Sequence, residues 1–288
     1  MITLAGPGLR AEITPLGAEL MRLQDEASRE LLWDGDPAFW TGRSPLLFPI
    51  VGAVKNDRIR VGDVTYPLSK HGFARTSQFE VIEAEAQSCL LRLTSSEATL
   101  SSYPFPFRLE IAYRIAGAAL FVEATLTNPG PGILPASFGF HPALRWPLPY
   151  GGDRAAHELR FEKAENAPLL RLVADGLIGK EMHQNPIQGT RLALRDDLFV
   201  EDALIFDRIA SRSVEFGVPG HRRVRVSFPE MPHLGIWTKP GAGYLCIEPW
   251  QGFASPEDFD GEFARKPGLI ALAPSATRTF AMAISLTE

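Results

Sequence analysis

The stretch Leu120-Phe-Val-Glu-Ala-Thr-Leu-Thr127, closed by Asn128-Pro-Gly130, sets the fold class. Leu120, Val122, Ala124 and Leu126 fall on one face, and Glu123, Thr125 and Thr127 on the other. That period of two is the mark of a strand with one face in a core. Ser88-Cys-Leu-Leu-Arg-Leu-Thr94, Leu109-Glu-Ile-Ala-Tyr-Arg-Ile115, Arg223-Val-Arg-Val-Ser-Phe228 and Phe280-Ala-Met-Ala-Ile-Ser285 have the same character. The 24 prolines and 25 glycines are spread along the chain and punctuate these short apolar runs. Regular punctuation of this kind predicts an all-β, antiparallel architecture. Helical patterning is scarce, with a turn or two over Asp258–Lys266 and an ambiguous stretch at Ser95–Tyr103. No linker, low-complexity tract or internal repeat interrupts the chain, so one unit spanning 1–288 is expected. A sheet-on-sheet fold of this size needs two large layers, with residues pointing into the core or onto an exposed concave face.

The bulk numbers exclude several function classes. Hydrophobic content of 45% with 22% charged residues is ordinary for a globular protein. A net charge of −5 disfavours nucleic acid as a partner, because phosphate binding needs a clustered cationic excess. The brief basic run His221-Arg-Arg-Val-Arg225 alternates like a solvated strand face. The N-terminus lacks a basic region followed by an apolar one, and no run is apolar for long enough to span a bilayer. A cytoplasmic location without membrane association is therefore expected. Cys89 and Cys246 each sit in an apolar run and read as buried free thiols. Neither belongs to a CxxC pair or lies near a local histidine cluster, so no metal site is expected.

Three islands place polar residues in apolar, turn-rich surroundings. The first runs from Ser44-Pro-Leu-Leu-Phe-Pro-Ile-Val-Gly52 to Tyr66-Pro-Leu-Ser-Lys-His-Gly-Phe-Ala-Arg75, where Gly72 permits a tight backbone beside His71. The second is Ser137-Phe-Gly-Phe-His-Pro142, with His141 among aromatics. The third is Leu234-Gly-Ile-Trp-Thr-Lys-Pro-Gly-Ala-Gly-Tyr-Leu-Cys-Ile-Glu-Pro-Trp-Gln-Gly252. There Tyr244-Leu-Cys-Ile247 reads as a buried strand delivering Glu248, and Pro240-Gly-Ala-Gly243 reads as a hairpin turn. A carboxylate so placed is partly desolvated, which raises its pKa and improves it as a base near neutral pH. Trp237 and Trp250 offer flat faces for a sugar, or else pack in the core while Glu248 meets water. Two histidines and a carboxylate are the complement an acid–base reaction near pH 7 requires. His157, His183, His221 and His233 lie in polar or loop-like stretches and carry no functional expectation. The chain has no GxSxG elbow, Walker loop, GxGxxG opening a helix, or HExxH motif.

Taken together, Phe48-Pro-Ile-Val-Gly52, Lys70-His-Gly-Phe-Ala-Arg75, Tyr103-Pro-Phe-Pro-Phe107, Gly139-Phe-His-Pro142 and Leu234–Trp250 resemble the aldose 1-epimerase (galactose mutarotase-like) family, most closely its LacX-like branch. Leu32-Trp-Asp-Gly-Asp-Pro37 and Asp202-Ala-Leu-Ile-Phe206 add to the likeness, which is ordered along roughly residues 10 to 285. The resemblance implies an antiparallel β-supersandwich binding a small-molecule sugar on its concave face. It also implies interconversion of the α and β anomers of an aldose without a cofactor, by a monomer or homodimer. His141 matches the acid that protonates the ring oxygen, and Glu248 the base that takes the anomeric proton. His71 matches a second histidine at the ring oxygen, and the substrate-binding aspartate falls on Asp202, with Asp207 a poorer fit.

One departure concerns the arginine that the family carries at or soon after the position of Ala53. Here Lys55, Arg58 and Arg60 are the nearby cations, Arg58 is the best substitute, and Arg75 is a further candidate ligand. Two other functions stay open at this point. One is a hexose-6-phosphate 1-epimerase, which would need arginines converging from among Arg43, Arg58, Arg60 and Arg75. The other is a non-catalytic carbohydrate-binding or sensing protein, which would have no need of a matched acid and base.

Overall fold

The computed structural model describes residues 1–287, with 44% of the chain in strands and 8% in helices. Ala119–Thr127 is the spine of a nine-stranded antiparallel sheet, flanked by Arg108–Ala116 and Thr277–Thr287. The register sets Val122 between Tyr113 and Met282, and Ala124 between Ile111 and Phe280. All six side chains are buried, whereas Glu123 on the opposite face is exposed. Ser88–Thr94 and Glu80–Ala84 extend the sheet beyond Arg108–Ala116. Arg223–Ser227, Ser213–Gly217, Glu158–Phe161 and Arg191–Ala193 extend it beyond Thr277–Thr287.

A second sheet has the order Leu204–Phe206, His233–Trp237, Tyr244–Gln251, Phe138–Phe140 and Leu46–Leu47, and Ala143–Arg145 also pairs with Tyr244–Gln251. Leu234, Ile236, Leu245 and Ile247 belong to the same buried cluster as Leu120, Val122 and Phe280. The other face of Tyr244–Gln251 carries Tyr244, Cys246, Glu248 and Trp250, and these too are buried, outside that cluster. A strand covered on both faces loses the alternation of a surface strand and reads as a continuous apolar run. This explains why its sequence looked uniformly hydrophobic up to the carboxylate. A three-stranded sheet of Ile2–Ala5, Leu9–Thr14 and Glu19–Asp25 adds Leu4, Leu9, Ala11 and Ile13 to the main core.

The architecture is the expected all-β, antiparallel one, and the turn at Lys239–Ala242 joins two strands as the glycines predict. Local details differ from the sequence reading in three places. Glu248 does not end its strand but lies inside it, because ladder partners continue through Leu234↔Pro249 and His233↔Trp250. His233 and His157 are buried rather than loop-like, each ring accepting a backbone N–H, from Gly252 and Leu148 respectively. Ser95–Tyr103 holds one short α-helix, Glu97–Leu100, capped by Ser96 with Thr99 closing the capping box. Among the described residues no helix is long and apolar enough to cross a membrane.

The fully buried Leu120 and the exposed Glu123 give a direct check of the face assignment. Leu120→Ala is expected to lower unfolding free energy by about 2–5 kcal/mol in urea titration. Glu123→Ala is expected to change it by no more than about 0.5 kcal/mol.

Candidate active site

Antiparallel register builds the centre of the site. Gly139 lies opposite Trp250, and Ala143 lies opposite Cys246. Continuing that register across the three intervening residues sets His141 opposite Glu248. The ladder breaks between the two segments at Pro142, which has no N–H to donate. His141 Nε2 and Glu248 Oε2 are 3.1 Å apart, and both side chains are almost wholly buried. On its other side Glu248 faces Gly235, which has no side chain to crowd it.

Burial decides the protonation of this pair. It pushes Glu248 well above the ordinary carboxyl range; the Lys70 charge opposes that rise and Asp202 adds to it. Burial also lowers His141 to about 3, and the charges of Lys70 and Arg75 push the same way. Both effects favour one shared proton in an uncharged combination, a carboxylic acid beside a neutral imidazole.

His71 occupies a left-handed backbone conformation, with φ of 67°. Its N–H donates to the Gly52 carbonyl at 2.8 Å, and the Gly52 N–H donates to its Nδ1 at 3.1 Å. That second bond requires Nδ1 to be an acceptor, so the neutral ring carries its proton on Nε2. Burial holds His71 well below its ordinary pKa, with smaller contributions from His141, Lys70 and Arg75. Gly72 follows with φ of 70°, and a Cβ there would come 2.2 Å from the Phe48 carbonyl oxygen, so only glycine fits. The His71 and His141 rings meet edge to face at 5.9 Å.

A cavity of about 200 Å³ opens onto these groups. His71, His141, Glu248, Asp202, Arg75, Trp237 and Trp250 all line it. Trp250 lies flat across the sheet, since a Cβ on Gly235 would come 2.3 Å from its ring and one on Gly139 would come 2.6 Å from it. Trp237 stands edge to face with His141 at 6.0 Å. Asp202, also left-handed with φ of 67°, caps its own loop through a bond from the Ala203 N–H and still reaches the cavity.

Arg58 requires correction. It is exposed in the strand Arg58–Val61 and borders a separate cavity with Lys55, Arg60 and Lys266. Past Ala53 the chain turns through left-handed Asn56 and Asp57 into the hairpin Arg58–Pro67. These cations line none of the cavity that holds His141 and Glu248. Arg43 is tied elsewhere, through Nη1 to the Met21 carbonyl.

Among the lining residues, Lys70 and Trp40 are a cation and an aromatic that had no assigned role in the sequence reading. Lys70 precedes His71 and joins Arg75 as the second cation of the cavity, a placement its adjacency to the histidine could have suggested. Trp40 tilts over His141 with ring centres 5.0 Å apart and meets Trp237 at a right angle at 5.7 Å. It lies beside Leu32–Pro37 in the sequence, with no local signal that it folds back onto His141. Cys246 was expected to be a core thiol. It is buried and free, and the fold brings it within 4.8 Å of donor atoms of both His141 and Glu248.

Residues 1–285 match the family model described as aldose 1-epimerase, and the chain belongs to that family. It is 28% identical over 286 residues to the chromosomal LacX protein of Lactococcus lactis subsp. lactis, covering 96% of each chain. Its fold superimposes with a TM-score of 0.91 on a galactose mutarotase related enzyme from Lactobacillus acidophilus, at 27% identity, covering 99% of this chain and 97% of that one. A galactose mutarotase-like protein from Lactobacillus casei ATCC 334 also gives 0.91, at 28% identity over 100% of both chains.

The glycines beneath Trp250 make its pose testable. Gly235→Ala is expected to lift the indole from the sheet, shifting tryptophan emission to the red and lowering stability by about 1–3 kcal/mol. An unchanged emission spectrum would contradict the flat pose.

Proposed function

We propose that this member of the aldose 1-epimerase family interconverts the α and β anomers of an unphosphorylated hexose or related aldose, using its own side chains as acid and base. The observation that carries the reading is the buried His141–Glu248 pair, 3.1 Å apart at the floor of a cavity of about 200 Å³, the scale of one monosaccharide.

In this reading Glu248 as carboxylate takes the proton of the anomeric hydroxyl while His141 as imidazolium gives one to the ring oxygen. The C1–O5 bond breaks, O1 becomes the aldehyde oxygen, and the C1–C2 bond rotates. Closure on the other face returns both protons. The reaction therefore needs one proton shared by the two groups, which is the inventory that burial favours. With the ring open, the proton sits on Glu248 and His141 is neutral. This is the combination the dry site stabilises, so burial supports the open-chain stage relative to the charged one. His71, held neutral with its proton on Nε2, can donate a hydrogen bond to the ring oxygen without competing as an acid. Asp202 accepts from sugar hydroxyls, Arg75 and Lys70 donate to them, and Trp237, Trp250 and Trp40 supply apolar faces.

General acid–base assistance of about 10²–10⁴-fold suffices for an exchange that proceeds unaided in water. Glu248→Gln and His141→Asn are each expected to lower the rate at least about 10²-fold, with the native near-ultraviolet circular dichroism retained. Polarimetry on freshly dissolved α-glucose and α-galactose measures this, and a wild-type rate no faster than buffer across an aldose panel would overturn the reading.

A 6-phosphorylated hexose is the second reading, favoured by the two cations Lys70 and Arg75 in one cavity. The Asp202 carboxylate in the same cavity repels a phosphate dianion, which is why the neutral aldose is preferred. Exchange rates on glucose and glucose 6-phosphate are expected to favour glucose. A preference of about tenfold or more for the phosphate, about 1.4 kcal/mol, would reverse the choice.

A further inference from the structure

We propose that His141, Glu248 and Cys246 form a capture site for a borderline-soft divalent cation, zinc foremost, whose occupation shuts the catalytic centre. The inhibitory consequence rests on the epimerase reading above; the binding itself rests on the side-chain cluster alone.

Cys246 and Glu248 are two residues apart on one strand and so share a face. His141 stands opposite Glu248 in the continued register, and the small Ala143 lies opposite Cys246. One donor atom from each of the three residues lies within 4.8 Å of the other two. Zinc bonds of about 2.0–2.3 Å define a tetrahedron with edges of about 3.3–3.8 Å. From separations of at most 4.8 Å, the donors need to close by about 1 Å to reach those edges.

The charge balance suits a dry site. Binding releases two protons to solvent, the Cys246 thiol proton and the one shared by His141 and Glu248, and nothing is oxidised or reduced. A divalent ion, one thiolate, one carboxylate and a neutral imidazole sum to zero, so burial no longer opposes the assembly. Mixed sulfur, nitrogen and oxygen donors select zinc or a similar ion over magnesium and calcium, which take oxygen shells. Three protein ligands leave a fourth position for water, and two of them, His141 and Glu248, line the cavity. Lys70 and Arg75 on the same cavity weaken a cation's hold relative to a closed four-ligand site.

The test reads metal binding separately from turnover. Cobalt(II) titrated into the full chain is expected to bind one equivalent and develop a thiolate-to-metal charge-transfer band. The band is expected to persist in Cys89→Ser, whose thiol lies on the other sheet, and to vanish in Cys246→Ser and Cys246→Ala. Zinc is expected to slow anomer exchange reversibly to chelator. Relative to its own uninhibited rate, Cys246→Ser is expected to need at least about tenfold more zinc for the same loss. No band in the wild type, a band surviving in both Cys246 variants, or unchanged zinc sensitivity would overturn the proposal. A Cys246-dependent band in a chain that exchanges no anomers would uphold the metal site and overturn the epimerase reading instead.

Discussion

The structure turns on one cross-strand pair, His141 facing Glu248 in a sheet whose two faces are both covered. A carboxylate buried inside a central strand is costly unless its charge is neutralised or matched. Here the register supplies the match: an imidazole 3.1 Å away on the neighbouring strand, able to share the proton that burial forces onto the pair. Gly235 on the opposite neighbour has no side chain, and the Trp250 ring occupies the space above it. A one-residue slip would turn Glu248 into the hydrophobic core and bring Ile247 or Pro249 to the cavity. The large apolar interface between the two sheets resists that slip, so packing remote from the pair holds it in place.

The surroundings extend the same logic. Trp40, Trp237 and Trp250 limit water around the pair and leave flat apolar walls. The backbone clasp between Gly52 and His71 fixes a tautomer, which a freely rotating histidine on a surface loop could not hold. Lys70, Arg75 and Asp202 put charges of both signs at the cavity, suited to a neutral polyhydroxylated ligand that both donates and accepts hydrogen bonds. The thiol of Cys246 lies within 4.8 Å of donor atoms of both members of this pair.

Much of this was legible in the chain. Leu120–Thr127 predicts its own faces, because a strand with one face in the core must alternate. His71, His141 and Glu248 were recognisable as polar residues interrupting apolar, glycine-punctuated runs, an arrangement that burial makes expensive without a purpose. Arg58 shows where such reading fails. Five residues past Ala53 it is close in sequence, but a left-handed turn and a hairpin carry it to another face. Trp40 and Cys246 fail in the opposite sense: nothing local distinguishes them from packing residues, and only long-range contacts bring them to His141.

The sequence by itself determined the all-β class, the strand faces and the polar residues, His71, His141 and Glu248, that interrupt apolar runs. These follow from periodicity, turn chemistry and the cost of burying polar groups, all of which act over a few residues. Only the tertiary structure decided that His141 faces Glu248, that Glu248 lies within its strand, that Lys70 rather than Arg58 joins Arg75, and that Cys246 approaches the pair. Those outcomes depend on register between strands about a hundred residues apart, and the packing of two sheets sets that register rather than any local preference.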